Sequence, residues 1–456
     1  MDILRPTISD DTICAPATAS GGAIGIVRVS GPKATEMVAA VCSNDITAYP
    51  ANTVRYTHIV TTTGEVIDEV MVAVFRAPHS YTGEDSVEIS CHGSSYILNK
   101  VLELLVQQGC RMAGPGEYTM RAYLNGKMDL AQAEAVADLI ASTNQATHQL
   151  AMSQLRGGIS SELSQLRDQL LKMTSLVELE LDFSDHEDLE FANRTKLMEL
   201  VKVIDKKITR LAHSFETGQA IKQGIPVAII GKTNVGKSTL LNCLLHEERA
   251  IVSDIHGTTR DTIEDVMEIN GVLFRFIDTA GIRQTTDEVE KIGLQRTRQA
   301  IQKARIILWV IDQELSNEEI SEISKQTENK KVIVVKNKSD INRDHSYTID
   351  HFPLITISAK YHEHIVQLEQ AIYEATGLHP LDDADVIITN ARHYDALCQA
   401  KSSISCVLSG LQSNLSGDLI SEDLRLTIDQ LSEITGGQIT PNEVLGNIFK
   451  KFCVGK

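Results

Sequence analysis

V-A-I-I-G-K-T-N-V-G-K-S-T-L-L-N, residues 227–242, is the stretch on which the fold turns. Val227–Ile230 is a short, unbroken apolar run, the pattern of a strand buried on both faces. Gly231-Lys-Thr-Asn-Val-Gly-Lys-Ser238 follows at once, and a helix is expected over Thr239–Leu245. A strand, a G-x-x-x-x-G-K-S loop and a helix make a phosphate cradle, because the glycines let main-chain N–H groups curl around an anion at a helix N-terminus. Lys237 is placed to reach the β and γ phosphates, and Ser238 to offer its hydroxyl to Mg²⁺. Gly231, Asn234, Val235, Gly236, Lys237, Ser238 and Thr239 are the expected nucleotide contacts of this loop.

Downstream, apolar runs at Phe274–Ile277, Ile306–Val310 and Val332–Val335 alternate with helical segments, which predicts a mostly parallel sheet with crossover helices. The loops after these strands carry chemistry. Asp278-Thr279-Ala280-Gly281 offers a carboxylate for water-held Mg²⁺ and a glycine N–H for the γ-phosphate. Asn337-Lys338-Ser339-Asp340 ends in a carboxylate that can accept from both N1–H and N2–H₂ of guanine, a donor pair that adenine lacks. Ser358-Ala359-Lys360 resembles the loop that backs the guanine O6. Four such elements in order from Gly231 to Lys360 specify a P-loop, Ras-like G domain that selects GTP. Ile282 stands where Ras-like proteins carry the Gln that orients attacking water, so hydrolysis needs another device. Asn234, within the phosphate loop, and Gly257-Thr258-Thr259-Arg260-Asp261 are candidates to hold a monovalent cation that neutralises transition-state charge. Asn234 alone also reads as an amide that merely stabilises its loop.

The rest of the chain flanks this domain. Prolines 6, 16, 32, 50, 78 and 115 punctuate a first region in which Ala23–Val29, Val70–Phe75 and Ser86–Ser90 read as strands and Ile97–Gln107 as a helix. Residues 1–118 are therefore expected to form an α+β domain. No proline occurs from Glu117 to Gln223, and Leu163, Leu166, Leu170, Leu171 and Met173 fall mostly on one helical stripe, so long helices are expected. The acidic run Asp182–Glu190 reads as a solvated turn. Helical texture returns from Asp385 to Leu431. The expected architecture is multidomain: α+β over 1–118, helical over 119–220, the α/β G domain inserted at 221–379, and helical again over 380–456.

Composition limits the partners. The 456 residues carry 43 Lys plus Arg against 61 Asp plus Glu, 43 − 61 = −18, so nucleic acid is not drawn in by the net field and needs a local basic patch. Eight scattered cysteines without a C-x-x-C pair support neither a zinc site nor a disulfide scaffold. The opening Met-Asp-Ile-Leu-Arg-Pro lacks the basic-then-apolar pattern of a signal peptide, and no apolar run approaches the ~20 residues of a membrane span, so a cytoplasmic location is expected.

Beyond the shared nucleotide motifs, the chain carries Y-T-G-E-D at 81–85, K-M-D-L-A-Q-A-E-A at 127–135 and F-C-V-G-K at 452–456. With N-V-G-K-S-T-L-L-N at 234–242, G-T-T-R-D at 257–261 and D-T-A-G-I-R at 278–283, these make it resemble, over essentially its whole length, the MnmE/TrmE family of tRNA-modification GTPases. The resemblance implies a homodimer that forms 5-carboxymethylaminomethyl- or aminomethyluridine at the tRNA wobble position. It implies a heterotetramer with an FAD-dependent partner protein, a one-carbon unit from 5,10-methylene- or 5-formyltetrahydrofolate, and K⁺-activated GTP hydrolysis. Carried onto this chain, Asn234, Ser253, Ile255 and Thr258 match the K⁺ positions and Ser238 and Thr259 the Mg²⁺ positions. Ser253-Asp254-Ile255-His256-Gly257 joins the GTP contacts, and Glu290, otherwise a solvated helix charge, matches the glutamate that orients water.

The first domain resembles the folate-binding fold of aminomethyltransferases, with Arg28, Glu88, Lys127 and Lys456 at the matching positions. A cation suits a folate's carboxylates and carbonyls, and a carboxylate suits the pterin's N–H donors. Ala19-Ser20-Gly21-Gly22 departs from the basic or Pro-rich first loop of some relatives. Cys453 sits beside Gly455 and Lys456, whose charge favours a thiolate, and the resemblance gives it a part in the modification chemistry as nucleophile, acid or structural residue. Cys91-His92 is not expected to pair, since neighbours in a strand face opposite ways. A regulatory GTPase of ribosome assembly is the alternative reading, and such a factor has no use for a folate-like domain.

Overall fold

The computed structural model describes residues 11–182, 194–247, 265–277, 298–327, 330–341, 352–377 and 386–437, together with Leu445, Ile448, Phe449, Lys450, Phe452 and Gly455. Two compact units emerge. One comprises Met1–Ile140, Gln154–Ile208 and Asp395–Lys456, the other Ala141–Ser153 and Thr209–Tyr394.

The first unit holds a six-stranded sheet built from β1 (Ile13–Pro16), β2 (Ile24–Ser30), β3 (Thr53–Val60), β4 (Val66–Phe75), β5 (Ser86–His92) and β6 (Arg111–Met112). The order is β3-β4-β5-β2-β1-β6, antiparallel except where β1 meets β6. Period-two alternation puts Val27, Val29, Val72, Val74, Val87 and Ile89 on one face, where the helix Ser95–Gln107 closes the core with Leu98, Val101 and Leu105. The opposite face carries Ile26, Arg28, Met71, Ala73, Glu88 and Ser90, none of them fully buried. Register sets Arg28 directly across from Glu88. The strand β3 went unread in the sequence for a physical reason: its buried positions are Thr57 and Ile59 while Val54 and Tyr56 lie exposed, which blurs the alternation. Long helices follow. Gly158–Asp182 buries Leu163, Leu166, Leu170 and Met173 and leaves Leu171 partly exposed, and Gly417–Thr435 packs on it with Ser421 and Arg425 both bonded to Glu178.

The second unit holds the expected α/β core. β7 (Ile225–Ile230), β8 (Asp265–Ile269), β9 (Val272–Phe276), β10 (Ile306–Ile311), β11 (Lys331–Lys336) and β12 (Leu354–Thr356) line up as β12-β11-β10-β7-β9-β8. Every neighbouring pair is parallel apart from the β8–β9 hairpin. Side chains from both faces of the central strands are buried, as unbroken apolar runs require. Val227, Leu308, Val310 and Val335 pack against Leu240, Leu244 and Leu368, while Ala228, Ile230, Ile307 and Trp309 pack against Ile301 and Ala304. The helix after the phosphate loop begins at Lys237, two residues earlier than expected, and runs to Glu247.

Candidate functional site

The loops at the carboxyl ends of β7, β10, β11 and β12 converge, the place where open parallel sheets bind ligands. Gly231 and Gly236 adopt φ of +148° and +97°, and a Cβ on either would collide with the Val310 carbonyl or the Asn337 amide. Only glycine serves there. Asn234 has φ +64°, a left-handed conformation that asparagine tolerates, so this position has a conformational reason for its residue. Lys237 Nζ donates to the carbonyls of Gly231 and Lys232 at 2.7 Å each, and burial pulls its pKa below the usual lysine range. It lies inside the curl of the loop, where a phosphate is its natural partner.

Asn337 ties the two ends of this site together. Its amide Nδ2 donates to the Val235 carbonyl at 2.9 Å, and its Oδ1 accepts from the Ala359 N–H at 3.1 Å. Lys338, at φ +66°, stretches its ammonium to the Asn234 carbonyl and to Asp312 Oδ2, both at 2.8 Å. Ser358 donates to Asp340 Oδ1 at 2.7 Å, which orients the carboxylate expected to read guanine. Lys360 is exposed, its ammonium 5.0 Å from the Tyr361 ring centre. The described members of the expected GTP site therefore come together. Asp312 and the Lys232–Glu319 ion pair of 2.5 Å went unnoticed in the sequence, because each depends on segments distant in the chain meeting in space.

Ser238, of the expected Mg²⁺ ligands, and Asn234, of the K⁺ positions, are described. Ser253, Asp254, Ile255, His256, Gly257, Thr258, Thr259, Asp278, Thr279, Ala280, Gly281, Ile282, Glu290, Cys453 and Lys456 lie outside the described residues. Among the described residues no cluster of three or more His, Cys, Asp or Glu side chains has metal-binding geometry.

A second polar site lies on the open face of the first unit's sheet. The Arg28 guanidinium bonds Glu88 Oε1 through Nε at 2.8 Å and Nη2 at 2.7 Å, and its Nη1 donates to the Gly455 carbonyl at 3.2 Å. The Tyr81 and Tyr118 rings flank it, each with its centre 5.7 Å from Cζ. Tyr118 also donates its hydroxyl to the Arg28 carbonyl at 2.7 Å, so both backbone and head of Arg28 are held. Lys127 donates to the Pro78 carbonyl at 2.9 Å and lays its stem against Gly83, on the same 78–85 loop that carries Tyr81.

The Y-T-G-E-D motif now has a physical reading. Asp85 accepts from Arg76 at 3.0 Å and from the Ala77 N–H at 2.9 Å, closing the loop. Glu84 accepts from Ser30 at 2.9 Å and faces Arg121, a guanidinium only 2% exposed that also pairs with Asp11 at 2.6 Å and Glu117 at 3.1 Å. Burial pushes Glu117 up, but Arg111, the Gly114 N–H and Arg121 outweigh it and leave the carboxyl below its usual range. Sequence gave no sign of this buried network. Cys91 and His92 diverge as expected: the thiol is buried and pushed up to about 11, while the exposed His92 Nδ1 meets Asp68 at 2.7 Å.

Comparison with known proteins covers nearly the whole chain. Residues 12–127 match the model of the GTP-binding protein TrmE N-terminus, and residues 130–453 match the MnmE helical domain. A protein of Phocaeicola vulgatus named tRNA modification GTPase MnmE is 54% identical, over 98% of this chain and 99% of its own length. Proteins of the same name from Parabacteroides distasonis and Bacteroides thetaiotaomicron are 53% and 52% identical, each over 98% of this chain and 100% of their own length. With a family model spanning most of its length and such relatives matched end to end, the chain belongs to the MnmE family.

Proposed function

We propose that this protein is a K⁺-activated GTP hydrolase that acts in forming 5-carboxymethylaminomethyl- or aminomethyluridine at the tRNA wobble position. A GTPase role in tRNA modification is what its family relatives are named for. The observation that carries the finer reading is the half-buried Arg28–Glu88 pair with the Tyr81 and Tyr118 rings each 5.7 Å from the guanidinium. A fixed guanidinium beside a carboxylate, walled by aromatic rings, suits a flat heterocycle that bears both N–H donors and carbonyls, as a pterin does. The tetrahydrofolate, when bound, supplies the one-carbon unit. Glu88 accepts from ring N–H groups, Arg28 donates to ring carbonyls, and Lys127 offers a charge to the carboxylate tail. Cys453 and Lys456 act in the same chemistry.

In the G domain Asp340 selects guanine, Lys237 neutralises the β and γ phosphates, and Ser238 and Thr259 hold Mg²⁺. Asn234, Ser253, Ile255 and Thr258 hold K⁺, and Glu290 orients the attacking water. The outer edge of β3 pairs with Val41–Ser43 only at its His58–Val60 end, and the remainder, with exposed Val54, Tyr56 and Met71 beside it, suits a homodimer. The FAD-dependent partner joins that dimer. No helix among the described residues is long and apolar enough to cross a membrane, and a cytoplasmic setting fits a tRNA substrate.

Calorimetry with 5-formyltetrahydrofolate on the full chain tests the folate reading. Arg28→Ala should weaken binding by roughly 10- to 150-fold, the worth of a charged hydrogen-bonded contact of about 1.5–3 kcal/mol. Equal affinity in the two proteins refutes it.

A further inference from the structure

We propose that Gly455 is a positioning residue for the modification reaction, whose backbone holds the C-terminal tail against the sheet beside the Arg28–Glu88 pair. This rests on the reading of that pair as the folate site. Gly455 has φ +95°, its carbonyl accepts from Arg28 Nη1 at 3.2 Å, and a Cβ there would strike the Pro16 carbonyl at the end of β1. Conformation and space both demand glycine. The tail has a second anchor three residues earlier. Phe452 is nearly buried with Phe449 in a cluster with Leu130, Ala133 and Tyr123. Beneath it Gly116, at φ +64°, would place a Cβ 2.8 Å from the Phe449 carbonyl and 2.9 Å from Phe452 Cβ. A glycine on the domain seats one end of this short segment, and a glycine of the segment itself seats the other. Cys453 stands between Phe452 and Gly455 in the sequence. Arg28 shares its guanidinium between Glu88 and the tail carbonyl, so the tail and the ligand site are linked through one side chain. The sequence alone presents Gly455 as nothing more than a flexible near-terminal glycine.

Gly455→Ala in the full-length protein tests the assignment, with carboxypeptidase release of the last residues as the direct readout of docking. Release should quicken by about tenfold or more, the consequence of forcing an L side chain into a strained, crowded position. In a deletion strain the variant should restore less than about a tenth of the wild-type modified wobble uridine, while K⁺-dependent GTP turnover and the thermal midpoint stay at wild-type values. Wild-type release rates overturn the docking. Faster release with full modification overturns the positioning role, and a parallel loss of GTP turnover assigns Gly455 a general structural role instead. Wild-type protein that fails to bind 5-formyltetrahydrofolate would remove the folate reading, and the release assay would still report on the tail.

Discussion

Replacing Asn337 by alanine should loosen the phosphate and guanine loops together. The side chain is 4% exposed and makes two bonds, donating to the Val235 carbonyl at 2.9 Å and accepting from the Ala359 N–H at 3.1 Å. Alanine leaves both main-chain groups without that partner in a dry setting, at about 1–3 kcal/mol for each. Water entering the vacated volume recovers part of this, so a total of roughly 2–4 kcal/mol is the working figure. With both loops holding the nucleotide, as proposed above, the loss should fall on binding: GTP and GDP should each bind roughly 30- to 1,000-fold more weakly. Discrimination between guanine and xanthine should not change, because Asp340 and its Ser358 partner are untouched. Asn337→Asp keeps the acceptor for Ala359 but sets a buried carboxylate oxygen against the Val235 carbonyl, so it should bind no better than the alanine variant. Fluorescent-nucleotide titrations of the three proteins measure the series. An alanine variant within about threefold of wild type for both nucleotides would refute the idea that Asn337 couples the loops.

Asp340→Asn should exchange GTP for xanthosine triphosphate, since an acceptor pair becomes an acceptor and a donor; retained GTP affinity in a competition assay counts against the guanine assignment. GTP turnover should be fast in KCl and slow in NaCl at equal ionic strength, and equal rates would dismiss the cation device built on Asn234. Arg121→Leu takes one cationic partner from each of Asp11, Glu84 and Glu117, which keep Arg111, Ser30 and the Gly114 N–H, and should cost about 3 kcal/mol by thermal unfolding at pH 7. Glu117's lowered pKa makes its contribution present above the unfolded carboxyl pKa and lost as pH falls, so the gap between the two proteins should narrow in acid; a gap independent of pH argues against the network. Among the described cysteines, iodoacetamide at pH 8 should label exposed Cys406 ahead of Cys42 and Cys91, whose thiols burial pushes up to about 12 and about 11, as peptide mapping can check.

The nucleotide site was legible because its information is local. A strand, glycines at fixed offsets and the first turn of a helix lie within one short stretch, and their order alone predicts the cradle. Even the misplaced helix start has a local cause: Lys237 and Ser238 belong to the loop motif and also form the first helical turn, whose N–H groups lack internal partners. The first-unit site was legible only through resemblance. Arg28 and Glu88 meet only through β-sheet register, and Tyr81 from a loop and Tyr118 from a helix come up beside Arg28. The Arg121 network was invisible because a buried guanidinium looks like any surface arginine until three carboxylates from separate segments surround it. Edge strands escaped too, since β3 buries a threonine and exposes a tyrosine.

Mass spectrometry of wobble nucleosides from a strain lacking this protein, complemented with wild type, Lys237→Ala or Arg28→Ala, joins the two sites in one reading. The expected result is 5-carboxymethylaminomethyl- or aminomethyluridine with wild type, and unmodified uridine with the empty strain and with both variants. Modified uridine at wild-type level in the empty strain, or with either variant, would contradict the claim that GTP turnover and the Arg28 site serve one modification.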